Sequence, residues 1–110
     1  MTLDRRRSTR SRSLLSGLLV FDDCSRSLSC TIRNLTDVGA RVELGGVILL
    51  PPSLWMIETR NGIAHEAKVA WRLGNEFGLK FLSQHRLDDA TTPELKTLRR
   101  LWVDQVPRGG

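Results

Sequence analysis

The stretch HEAKVAWRLGNEFGLKFL, residues 65–82, sets two runs of alternating apolar and polar residues around a single Gly-Asn pair. Ala67, Val69 and Trp71 fall on one side of the first run; Phe77, Leu79 and Phe81 align in the second. A period of two marks a half-buried strand, and Gly74-Asn75 supplies the tight turn between the two runs. The segment predicts an antiparallel hairpin. Its first strand places Trp71 on the core-facing side with Ala67 and Val69.

The same period extends towards the N-terminus. SLWMIETR runs into Asn61-Gly62, a dipeptide that predicts a type I′ hairpin turn because both central residues of that turn need positive φ. Pro51 and Pro52 exclude a central strand where they stand. In ARVEL, Ala40, Val42 and Leu44 oppose Arg41 and Glu43; in SLSCTIRN, Leu28, Cys30 and Ile32 oppose Ser29, Thr31 and Arg33. Residues 14–21 form a short apolar run ended by the turn-like DDCS. Six strands joined by turns too short for crossover helices make an antiparallel sheet, which at this size curls into a small β-barrel. The all-β unit is followed by one element of different period. Leu95, Leu98, Leu101 and Trp102 recur at three- and four-residue steps, Pro93 fits a first helical turn, Glu94 suits its positive end, and Thr91 or Thr92 can cap it. This C-terminal α-helix is expected to cover an open side or end of the barrel.

A chain of 110 residues has room for one domain. Its formal charge is +5, and residues 4–12, DRRRSTRSR, carry five arginines against one aspartate. Four of the five net charges thus sit in one short stretch, and the rest of the chain is close to neutral. We therefore divide the chain into a flexible basic N-terminal arm (1–13), a barrel with its helix (14–106) and a frayed tail (107–110). A concentrated arm suits a compact anion or a short run of phosphates better than a length of nucleic acid, whose binders spread cations over a face. Cys24 and Cys30 are too few for a disulfide framework and lack metal-site spacing, so both are expected as thiols in a reducing, cytoplasmic setting. LLSGLLVF is far too short to span a bilayer, which needs about 20 apolar residues, and no membrane insertion is expected. His65 and His85 have no sequence logic joining them, and Asp22-Asp23 and Asp88-Asp89 read as turn and helix lead-in. With no phosphate loop, nucleophile elbow or metal motif, the sequence predicts a binding protein rather than an enzyme.

Two segments make the binding reading specific. Arg6 and Arg10 are four residues apart in RRSTR, and NLTDVG, residues 34–39, follows between two strands. Here the chain resembles the PilZ domain family of bacterial receptors for cyclic di-GMP, whose motifs are Arg-x-x-x-Arg in an N-terminal arm and Asp/Asn-x-Ser-x-x-Gly after a strand. Arg6 and Arg10 match the first. Asn34 and Gly39 match the second, with Thr36 where the family usually has serine. AKVAWRLGNEFGLKFL looks like the family's last two strands, and the likeness runs from Asp4 through Phe81.

The resemblance implies a nucleotide lying across the barrel surface with the arm folding over it. An arginine fork can donate to O6 and N7 of guanine, grip phosphate or stack on a purine. Arg5 and Arg7 flank the motif and can reach the same phosphates. Asn34 and Thr36 can accept from the N1–H and N2–H₂ edge, although Asn34 is neutral where many relatives carry an acid and the methyl of Thr36 stiffens its side chain. Gly39 is expected either to take positive φ in a reversal or to let the ligand approach the backbone. Trp71, assigned above to the core, can instead stand at the rim and stack on a guanine. No cofactor beyond this ligand is implied. A downstream protein partner is implied, and an alternative is a PilZ-like protein-interaction module that does not bind nucleotide; nucleic acid is the least favoured partner.

Overall fold

The apolar positions of the alternating runs meet inside a closed barrel. The computed structural model describes residues 15–46 and 48–105. Its strands are β1 (Leu15–Phe21), β2 (Arg26–Leu35), β3 (Gly39–Glu43), β4 (Ser53–Glu58), β5 (Ile63–Leu73) and β6 (Glu76–Arg86). They pair in the order β1-β2-β3-β6-β5-β4, closing on themselves, and every pairing is antiparallel. A short 3-10 turn, Leu87–Asp89, leads to helix α1 (Pro93–Gln105). The all-β, six-stranded barrel with a C-terminal helix is therefore the fold. The arm (1–13) and tail (107–110) lie outside the described residues.

Two separate cores hold it. Inside the barrel, Leu19, Phe21, Cys30, Ile32, Val42, Met56, Phe77 and Leu79 pack together. On the outer side of β1, β4 and β5, Leu18, Val20, Ile57 and Ala64 pack against Leu87, Leu95 and Leu98. The helix thus covers no opening, contrary to the expectation from its stripe: the barrel is closed, and α1 builds a second apolar layer on its wall. The reason lies in β1, whose run from Leu18 to Phe21 is buried on both faces. A strand covered on both sides reads as a continuous apolar run instead of an alternation. Burial also pushes the Cys30 thiol up to about 12, and both cysteines are free.

The helix is fixed at each end. Thr92 is the cap, its Oγ1 accepting from the Leu95 amide at 3.1 Å. Trp55 Nε1 donates to Glu94 at 3.2 Å near the start, and Trp102 Nε1 donates to the Thr59 carbonyl at 2.7 Å near the end. Thr59 belongs to the β4–β5 connection, where the structure corrects a second expectation. The connection is not a two-residue type I′ turn: residues 59–62 form a four-residue loop, and only Gly62 has positive φ, at 66°. The amides of Asn61 and Gly62 both donate to the Glu58 carbonyl. Gly62 is doubly constrained, since a Cβ there would also lie 2.7 Å from the Trp102 ring. Gly74-Asn75, by contrast, is the expected two-residue turn, with positive φ at Gly74.

Asn61 has another task. Its side chain donates to Glu58 Oε1 at 3.0 Å, and the other carboxylate oxygen bonds His65 Nε2. Both Glu58 and His65 are buried, and the imidazole stacks on Phe81 at 3.9 Å between centroids. Burial alone would raise the Glu58 pKa, but the hydrogen bonds from His65 and Asn61 and the neighbouring imidazole outweigh it, and the net shift is downward. A carboxyl whose folded pKa is depressed adds stability above its unfolded pKa and loses it as pH falls through the folded value. Urea-unfolding midpoints are therefore expected to hold down to the ordinary value of 4.5 and to fall below it. Glu58→Gln should cost about 1–3 kcal/mol at neutral pH and flatten this acid limb; an unchanged limb in the variant would assign the acid sensitivity to other carboxyls.

Candidate functional site

Strict alternation would point both Asn34 and Trp71 into the barrel. Each is instead preceded by an irregularity. In β2, Ile32 pairs with Val42 and Asn34 with Arg41, leaving Arg33 as an extra residue; in β5, Val69 pairs with Leu79 and Trp71 with Gly78, leaving Ala70 extra. One unpaired residue flips the facing of the residues after it. Asn34 and Trp71 both emerge outside, and Trp71 is 44% exposed. The core assignment of Trp71 is thereby corrected.

The two residues emerge in one lateral row. Asn34 lies opposite Arg41, Arg41 opposite Gly78, and Gly78 opposite Trp71, across β2, β3, β6 and β5. Gly78 is the low point of that row. A Cβ on it would fall 2.0 Å from Trp71 Nε1, so the indole lies across bare backbone. Asn34, Thr36, Gly39, Arg41, Trp71 and Gly78 line one open depression of about 260 Å³ on the wall away from α1. A neighbouring depression lined by Ser16, Ser29, Arg33 and Glu43 offers less, because its arginine is paired with Glu43 at 2.6 Å.

Thr36 and Gly39 shape the β2–β3 loop at the edge of this depression. The Thr36 amide donates to the Gly39 carbonyl at 2.9 Å. Its hydroxyl donates to the same carbonyl and accepts from the amides of Val38 and Gly39, each at 3.2 Å. One donor and two lone pairs are a hydroxyl's full capacity, so in this state Thr36 organises the turn. Gly39 does not take positive φ; only Gly62 and Gly74 do among the described glycines. Its lack of Cβ serves strand packing, since a Cβ would stand 2.4 Å from the Leu79 carbonyl oxygen of β6. The close neighbour is therefore β6 itself.

Of the candidate residues, Asn34, Thr36, Gly39 and Trp71 are brought together, while Arg5, Arg6, Arg7 and Arg10 lie outside the described residues. Sequence reasoning missed Arg41 and Gly78. Alternation in ARVEL already turned Arg41 outward, but only the register puts it beside the indole. No group of histidine, cysteine, aspartate and glutamate able to hold a metal occurs among the described residues, and no described helix is long and apolar enough to cross a membrane.

The family model of the PilZ domain matches residues 4–101. The chain belongs to the PilZ domain family. No curated protein matches it at a significant level. PilZ domains are binding and adaptor domains and, as a family, receptors for cyclic di-GMP. The match covers residues 4–12 together with the barrel, so the arginines of that stretch and the depression fall within one family match.

The two glycines of this PilZ domain are expected to respond differently to a methyl. Gly78→Ala should displace only the indole, shifting Trp71 fluorescence (read against Gly78→Ala/Trp71→Phe) at a stability cost within about 1 kcal/mol. Gly39→Ala meets backbone and should cost about 1–3 kcal/mol by parting β3 from β6. Equal losses in chemical denaturation would refute this distinction.

Proposed function

We propose that this protein is a cytoplasmic bacterial cyclic di-GMP receptor and adaptor, non-enzymatic, whose arm orders over the nucleotide and so changes a surface read by a partner protein. The observation that carries the reading is the pair of bulges that turns Asn34 and Trp71 into one outward depression beside the β2–β3 loop. An exposed indole is a stacking platform for a purine, and the amide oxygen of Asn34 can accept from the N1–H and N2–H₂ edge of guanine. Thr36 and Gly39 contribute by holding the loop, through the hydroxyl bonds and the close β3–β6 approach described above.

The arm supplies the charge. β1 begins at Leu15 opposite Ile32, two residues from Asn34. Arg10 is five residues before Leu15, a span of at most about 18 Å, and Arg5, Arg6 and Arg7 lie further along the same tether. Arginine forks match guanine O6/N7 and phosphate oxygens, and cyclic di-GMP carries two guanines and two phosphates. Ordering the arm costs free energy and lowers the apparent affinity relative to the contacts made.

One observation favours a second reading, a PilZ interaction module that binds no nucleotide: the Thr36 hydroxyl is fully engaged within its own turn. Calorimetric titration separates the two. Cyclic di-GMP is expected to bind and cyclic di-AMP to bind far more weakly. Arg6→Ala and Arg10→Ala should each weaken binding by about tenfold or more, and affinity should fall with added salt. Absence of heat with cyclic di-GMP at high protein concentration would leave the interaction module as the function; affinity that follows phosphate number and ignores the base would instead mark a nucleic-acid binder.

A further inference from the structure

Arg41 is the one charged side chain lining the depression among the described residues. It stands in the same lateral row as the indole, on the strand between Asn34 and Gly78, and its Nε lies 3.8 Å from Glu76 Oε1. That separation is a loose ion pair on an exposed wall, of the kind that contributes little to stability. The fold therefore makes little structural use of this guanidinium. Lys80 and Lys68 sit on neighbouring positions of β6 and β5, but a lysine presents a point charge, whereas the arginine fork is planar and matches two acceptors in one plane.

Adjacent strands are about 4.8 Å apart. The indole lies across Gly78 on β6, so a base stacked on it presents one edge to the next strand, β3, where Arg41 emerges. On the far side of Arg41 is Asn34, on β2. We propose that Arg41 is a specificity-determining residue, donating its fork to the O6/N7 edge of the guanine that stacks on Trp71. This rests on the cyclic di-GMP reading above and goes beyond the arm and loop motifs, neither of which contains Arg41. It divides recognition of the base among indole, guanidinium and amide, all carried by the barrel wall, and leaves the arm arginines for the phosphates and the second guanine.

The test is a cycle on one side chain and one ligand atom. The full-length protein and Arg41→Ala are each titrated with cyclic di-GMP and with its 7-deaza analogue, in which a C–H replaces the N7 acceptor. Arg41 is exposed, and unchanged thermal unfolding of the variant is the accompanying check of the fold. Arg41→Ala is expected to weaken cyclic di-GMP by about tenfold and to weaken the 7-deaza analogue much less, because the contact is already lost. Losses that agree within about twofold for the two ligands, or no loss for either, would overturn the assignment while the binding of cyclic di-GMP by the unaltered protein still upholds the receptor reading. Failure of the unaltered protein to bind cyclic di-GMP would remove both.

Discussion

One extra residue in each of two strands decides what this barrel offers to solvent. Without Arg33 as a bulge, Asn34 would enter the core with Ile32; without Ala70, Trp71 would follow Val69 inside. The wall away from the helix would then lack both its amide and its indole. Two local irregularities, on strands that are not neighbours, are brought into register by the intervening β3 and β6, so the depression exists only once β2, β3, β6 and β5 have paired. The site is a property of the whole sheet more than of any loop.

The opposite wall is organised by burial. β1 is apolar on both faces because it separates two cores, and the helix that forms the outer core is held by a cap at Thr92, by Trp55 on Glu94 and by Trp102 on Thr59. These contacts are polar anchors at the ends of an apolar seam, and none of their residues lines the depression. The helix seam and the depression thus occupy different stretches of the barrel's outer wall and share only β5. Inside, the Glu58–His65 pair is the exception to an apolar filling, tolerated because Asn61 and the imidazole satisfy the carboxylate.

Most of the fold was legible from the sequence, since alternation is a local signal. The strands at ARVEL and EFGLKFL, the turn at Gly74-Asn75, the interruption at Pro51-Pro52 and the helix entered by Thr92-Pro93 all come from spacing and backbone chemistry. Several readings did not hold, each for a nonlocal reason; Gly39, for one, is a glycine for the sake of β6 and not for a turn. Trp71 left the core because of a bulge that no residue type announces. Asn61-Gly62 adopted a longer loop because the Asn61 side chain is drawn to Glu58 and Gly62 sits under Trp102. The helix found a wall and not an opening, because closure depends on pairing β1 with β4, which the local pattern does not reveal. Of the site, the loop motif was legible and its neighbours were not: Arg41 and Gly78 become meaningful only through their register with Trp71.

The double burial of β1 also bears on how a signal would leave the domain. The arm's point of attachment, Leu15, opens a strand clamped between two hydrophobic layers, with hydrogen-bonded partners on both edges further along. Such a strand resists sliding or tilting, because either motion breaks both layers at once. On the receptor reading proposed above, work done on the arm by a captured ligand would then not be relayed through the barrel as a change of shape. It would stay where it is delivered, and a partner of the proposed receptor would have to read a composite of arm and wall, a surface assembled on the outside of a scaffold held in place.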